Sequence, residues 1–314
     1  MIRTERHGQI ERDRGLMKAH GLPYLLALML SSFAACTGKA PDPQRDDVPT
    51  KGDILVVADR DLQRIIEAER FVFESIYTEA TVRVRYLSEV ALREAMKNDS
   101  VRVVFTATLP GADEVSAFRG RNLYPDDVPV LTDAVAVLRA PGAAVDSISL
   151  DELRHALTGQ GATRVFFDDA RGGVLRTAVD SLLDGRADAL RNVAVVSDMD
   201  SLLQRLARTP DAIALIAFAH LSDLDDPACR SIRDRATLCR VYDQGVATLP
   251  NQSNLADGRY PLRRKFYAVL KEGKTGLGTG FVSFVAGHKG QRIILKTGLA
   301  PQTVPGRDVE LVTN

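Results

Sequence analysis

The segment Asp168-Asp169-Ala170-Arg171-Gly172-Gly173-Val174-Leu175-Arg176 has the residue types needed to hold an anion. Guanidinium groups match phosphate or carboxylate oxygens in forked pairs, and Gly172 and Gly173 let a ligand approach the backbone closely. The segment follows an apolar strand pattern and leads into a helical one, the place where open α/β sheets take ligands. A glycine-rich loop with solvated arginines fits the same pattern. Thr132-Asp133 interrupts a long apolar run. A buried polar group needs a partner, so the pair marks either a ligand contact beside a cleft or a plain turn. Arg263-Arg264-Lys265 reads as a solvated charge cluster in which one Arg can face a cleft. Gly276-Leu277-Gly278-Thr279-Gly280-Phe281 could aim backbone N–H groups at an anion, but a loop with a helix cap is the stronger reading.

Other chemistries lack their residues. No Gly-x-Ser-x-Gly elbow, Walker loop, His-Glu-x-x-His or dinucleotide fingerprint occurs, so neither catalysis nor a cofactor is expected. His155, His220 and His288 stand apart in sequence, and Cys229 and Cys239 have only His220 nearby, so no metal site is expected. The 41 Lys+Arg balance 41 Asp+Glu, which gives no basic field for nucleic acid. With 45% hydrophobic and 26% charged residues, the composition is that of an ordinary globular protein, and 314 residues suggest about two domains.

The N-terminus carries an export pattern. Leu22–Leu30 is apolar, follows Lys18 and His20, and runs into Ser31-Ser32-Phe33-Ala34-Ala35-Cys36. This resembles a bacterial lipobox, with Phe33 where an aliphatic residue is usual, and predicts a signal over 1–35 and lipid on Cys36. Met17 makes a more conventional start than Met1. Residues 36–51, with Pro41, Pro43 and Pro49, read as a flexible tether, and the fold is expected to begin near Gly52. In an exported protein Cys229 and Cys239 are expected to form a disulfide in preference to remaining separate buried thiols.

Strand and helix patterns alternate from there. Ile54–Ala58 is a continuous apolar run suited to a buried parallel strand, followed by a helix over Leu62–Tyr77. Val82–Leu87, Val101–Thr106 and Val128–Leu138 read as strands, with a helix over Glu89–Lys97. The second half repeats this order: helix Leu150–Leu157, strand Thr163–Phe167, helix Gly173–Leu183, strand Val193–Val196, helix Ser201–Ala207 and strand Ala212–Ala217. After a polar region over Leu221–Leu249 come strand Phe266–Leu270 and helix Phe281–Lys289. The alternation predicts an α/β fold.

These pieces, in order, resemble the phosphate-type substrate-binding lipoproteins of ABC transporters. The resemblance spans roughly Gly52 to Pro301. It rests on Gly52–Ala58, Phe73-Glu74, Tyr86-Leu87-Ser88-Glu89, Thr132–Val137, Ser149–Gly159, Gly258-Arg259-Tyr260-Pro261-Leu262, Gly278-Thr279-Gly280-Phe281, Phe284-Val285, Gly290-Gln291-Arg292 and Gly298-Leu299-Ala300-Pro301.

It implies a two-lobed type II periplasmic-binding-protein-like α/β fold, joined by two crossing hinge strands near Val130–Leu138 and Phe266–Leu270. The first lobe would be 52–135 plus 262–314 and the second 136–261. It further implies a non-enzymatic, monomeric receptor without cofactor, held by lipid at the periplasmic face of a bacterial membrane. Such a receptor captures phosphate or a related oxyanion for a membrane permease. The site would comprise Thr106 and Thr108, Thr132 and Asp133, and Gly172, Gly173 and Arg176. Asp133 would accept a ligand proton.

Where relatives carry hydroxyl residues before an Arg, this chain has Gly172-Gly173-Val174 and then Arg176. The third strand leads into Thr106-Ala107-Thr108-Leu109 in place of an Arg-containing turn. Backbone N–H groups could replace the hydroxyls, and a different ligand stays open. The second reading is a two-lobed scaffold or sensory module of the cell envelope with altered or lost anion binding.

Overall fold

The computed structural model describes residues 46–304. The expected signal over 1–35, Cys36, the tether up to residue 45 and the last ten residues lie outside them. Among the described residues, no helix is long and apolar enough to cross a membrane.

The chain opens with βα units whose strands are apolar because both faces are covered. They are β1 (Gly52–Asp59), α1 (Gln63–Ile76), β2 (Ala80–Leu87), α2 (Glu89–Met96), β3 (Val101–Thr106) and α3 (Ala112–Arg119). The 14-residue β4 (Asp126–Arg139) follows. Beyond it come β5 (Ser147–Ser149), α4 (Leu150–Thr158), β6 (Val165–Phe167), α5 (Gly173–Leu182), β7 (Val193–Val195), α6 (Met199–Arg208) and β8 (Ile213–Ala217). The region expected to be merely polar holds α7 (Pro227–Arg235), β9 (Thr237–Leu238), β10 (Arg240–Asp243), β11 (Val246–Thr248) and α8 (Gln252–Ala256). The chain then returns through β12 (Arg263–Leu270), α9 (Leu277–Ala286), α10 (His288–Lys296) and β13 (Ala300–Pro301).

One sheet runs through the molecule in the order β2-β1-β3-β12-β4-β8-β6-β7. Its pairing changes hands inside β4. Asp126–Ala134 lie antiparallel to β12, whereas Val135–Leu138 lie antiparallel to β8. All of β12 pairs with β3 and the first part of β4. The return crossing therefore runs through Tyr260–Leu262 and not through Phe266–Leu270. There the Val135 N–H donates to Leu262 O at 2.8 Å and the buried Tyr260 hydroxyl donates to Val135 O at 2.8 Å.

Three further expectations change. Thr132-Asp133 does not interrupt β4, because the partners of Asp133 come from other elements. The expected helix over Phe281–Lys289 is two helices, separated by extended backbone at Gly287. The fold also begins before Gly52: the Asp47 carboxylate accepts from the Leu277 N–H at 3.0 Å, and a Cβ on Gly280 would lie 1.8 Å from Pro49 O, so only glycine permits this approach.

The glycine loop is indeed a cap. Glu272 accepts from the N–H groups of Gly276, Gly278 and Thr279, so the start of α9 is satisfied by an internal carboxylate. The expected disulfide is absent. Cys229 and Cys239 are both buried and free. Arg64 donates to Cys229 Sγ at 2.9 Å, and Cys239 contacts Thr237 O at 3.8 Å.

Candidate functional site

At the end of β1, the Asp59 carboxylate folds back to accept the Asp61 N–H at 3.0 Å and starts a single 3-10 turn over Arg60–Leu62. This local turn carries Asp59 and Asp61, both buried, into the seam between the two halves of the sheet. From β12, the fully buried Arg264 donates to Asp61 Oδ2 at 2.9 Å and to Asp133 Oδ2 at 2.5 Å. The other Asp133 oxygen accepts the Ala219 N–H, just past β8, at 2.9 Å. His220 Nε2 lies 3.3 Å from Asp61 Oδ1 and 3.9 Å from Asp168 Oδ2.

Burial and charge set the protonation of this cluster. Burial, then the Asp61 charge, push Asp59 up to about 8 against the opposing Arg264. Burial also works on Asp61, but Arg264 and His220 outweigh it and hold its carboxyl well below the ordinary value. Asp168 is pushed up to about 6 by burial and then by Asp61. For His220 burial opposes charge, yet Asp61 and Asp168 prevail and raise its pKa. Burial is likewise overcome at Arg264 by Asp133, Asp61 and Asp59, which keep the guanidinium charged. Asp61, Asp168 and His220 bring ligand atoms within 4.8 Å of one another, a spacing that suits a metal ion. The raised proton affinity of His220 gives the trio a charge partner of its own.

Beside the cluster stands the start of α5, where Gly172 is the cap position and no side chain caps the helix. A Cβ on Gly173 would lie 3.0 Å from Arg264 Nη1 and 3.1 Å from Asp59 Oδ2, so glycine is what lets this helix start meet the buried charges. Asp59 Oδ2, Arg264 Nε and both Glu89 carboxylate oxygens are buried without a hydrogen-bond partner among the described residues.

A cavity of about 420 Å³ opens here, lined by Glu89, Thr108, Gly173, Arg176, Arg263 and Lys265 among others. A neighbouring cavity of about 430 Å³ takes in Gly172, Arg171 and Arg93, and shares Glu89 and Arg176. Arg176 Nε donates to Asp180 at 3.0 Å, while its Nη1 stands 4.0 Å from Glu89 Oε1. Across the seam, Arg60 pairs with Asp169 at 3.1 Å, Arg64 with Asp226 at 3.1 Å, and the Val90 N–H donates to Arg171 O at 3.4 Å.

Of the residues expected at the site, Thr108, Gly173 and Arg176 meet in one cavity and Gly172 lines the next. Thr106 is buried and bonded within its own turn, its Oγ1 accepting the Thr108 N–H at 3.0 Å. Thr132 and Asp133 line neither cavity, and Asp133 is committed to Arg264 and Ala219. Sequence reasoning missed Asp59, Asp61, Glu89 and His220. For Arg264 the signal was present, since an Arg of that basic triplet was allowed to face a cleft.

The model of the PBP superfamily domain matches residues 44–289. The chain belongs to the PBP superfamily. It is also similar to the phosphate-binding protein PstS of Bacillus subtilis (strain 168), with 25% identity over 305 residues that cover 89% of this chain and 94% of that protein. Among solved structures, a putative phosphate ABC transporter substrate-binding protein with bound phosphate from Clostridium perfringens superposes with a TM-score of 0.64 at 18% identity, over 80% of this chain and 100% of that one. An ABC-type phosphate transport receptor from Vibrio cholerae gives 0.61 at 15% identity, over 80% and 100% respectively. These likenesses place the chain in the two-lobed PBP fold. The charge cluster and both cavities lie at the seam between the two halves of the sheet.

Proposed function

We propose that this protein is a solute receptor that captures phosphate or a related oxyanion between two lobes, 52–135 plus 262–314 and 136–261, and passes it to a membrane permease. One observation carries the reading. The 420 Å³ cavity sits at an uncapped helix start and is lined by Arg176, Arg263, Lys265 and Thr108, in a fold shared with proteins named for phosphate binding. A helix N-terminus supplies open N–H donors and a partial positive charge, and guanidinium and ammonium groups add the full charges an anion needs. Closure is supported only by a ligand that touches both lobes, as one lying between Arg176 and Lys265 would. Lipid on Cys36 would hold the receptor at the periplasmic face, and a Cys36→Ser variant should leave the membrane fraction.

The test is calorimetric titration of the purified protein, stripped of ligand, with phosphate and sulfate. Binding in the micromolar range, weakened about tenfold or more in Arg176→Ala, is the expected result. A second reading, an envelope scaffold or sensory module, is favoured by the way Asp61 and Asp133 already neutralise Arg264. Absence of heat with every anion from a folded sample would support it.

A further inference from the structure

Resting on the oxyanion reading, we infer that the ligand is a small zwitterion, with a phosphate or phosphonate group at one end and an ammonium group a short spacer away. The observation is the juxtaposition of Glu89 with the basic side chains in a single cavity. Glu89 is the first residue of α2, is 3% exposed, and has no hydrogen-bond partner for either carboxylate oxygen.

A buried carboxylate without hydrogen-bond partners is costly, and the cations around it bond elsewhere. Arg176 is committed to Asp180 and stops 4.0 Å from Glu89. Arg93, one helical turn on, faces Glu114 at 3.6 Å. Arg263 Nε donates to Tyr260 O at 3.1 Å. Glu89 therefore asks for a donor of positive charge, and the basic side chains lining the same cavity ask for an anion.

Bare phosphate answers only one of these demands and would face Glu89 as a like charge. A volume of about 420 Å³ is also of the size that holds an organic ligand rather than a single tetrahedral ion. An ammonium donates up to three hydrogen bonds, enough for both oxygens of Glu89 once that side chain turns from its buried position into the cavity. With Glu89 and Arg176 only 4.0 Å apart, a ligand that meets both must carry its two charges close together, as phosphoethanolamine and 2-aminoethylphosphonate do. The first carries an ester oxygen and the second a carbon–phosphorus bond, and the charges they present are the same.

Titration calorimetry of the full chain with phosphoethanolamine, 2-aminoethylphosphonate, ethyl phosphate and inorganic phosphate tests this. Both amino compounds should bind at least about tenfold more tightly than ethyl phosphate, the size expected for a charged hydrogen-bonded pair. In Glu89→Gln that ratio should fall below about twofold. In Lys265→Ala, which keeps Glu89, all compounds should weaken together and the ratio should persist. Thermal melting of each variant establishes that it is folded. Equal affinity for ethyl phosphate and phosphoethanolamine, or a ratio that survives in Glu89→Gln, overturns the zwitterion and leaves the oxyanion reading standing. Absence of binding by all four compounds overturns both.

Discussion

Arg264 lies directly opposite Asp133 across the β12–β4 pair, and the two meet at 2.5 Å with neither side chain exposed to solvent. A cross-strand pair of opposite charges ordinarily lies on a solvated face, where it is worth little. Here it is the centre of a buried cluster, because the same guanidinium also reaches Asp61 and lies over the Phe266 ring.

Removing that guanidinium should be severe. Arg264→Met leaves Asp61 and Asp133 buried without their principal cation, a change that costs about 3–5 kcal/mol in comparable buried pairs. Urea denaturation of the variant should show the loss, and adding Asp133→Asn to it should recover part. A change within 1 kcal/mol in the single variant would mean that solvent already reaches the cluster.

Glu69 offers a pH test away from the seam. It lies buried on α1 without a partner for either oxygen, and burial alone pushes its carboxyl up to about 8. A folded value above the ordinary one means that its contribution to stability is full below about 4.5 and is lost as pH rises through about 8. Glu69→Gln should accordingly melt at a temperature similar to the parent at pH 4.5 and several degrees above it at pH 8. Calorimetric scans across that range check the sign.

Asp59 should couple anion affinity to pH. Its carboxyl lies beside the start of α5 and is pushed up to about 8 by burial and the Asp61 charge, which favours the neutral form below that value and a negative charge above it, where an oxyanion would approach. The ratio of phosphate affinity between the parent and Asp59→Asn should therefore fall about tenfold from pH 7 to pH 9, the ligand's own titration cancelling in the ratio. A ratio independent of pH would place the anion away from Asp59.

The thiols give a direct chemical check. Cys229 and Cys239 are separate and buried, and burial pushes the Cys239 thiol up to about 11, so both should resist alkylation in the native protein at pH 8 and react once unfolded. Mass spectrometry with and without prior reduction should give the same count of modified thiols.

The βα order was legible because it rests on local pattern. Val101–Thr106 was read with its exact bounds, since a strand covered on both faces is simply an apolar run between polar turns. The start of α5 at Gly173 was legible for the same reason. The charge cluster was not. Asp59-Arg60-Asp61 looks like a solvated turn, and its burial depends on His220 and Arg264, which stand 159 and 203 positions from Asp61 in sequence. Thr132-Asp133 resembled a break in a strand for want of a visible partner, and that partner is 131 positions on. The region after Leu221 was missed because β9 has only two residues and gains its shape by pairing with the end of β4.

That last strand of the first half, β4, also belongs to the second, with no turn or linker between its Ala134 and Val135 pairings. Melting either half removes the ladder that orders one end of a strand whose other end anchors the remaining half. Neither half can then persist as an independent unit, as two domains on a loop would. The described fold should lose its structure in one step, its slowest-exchanging amides clustered on both sides of Val135.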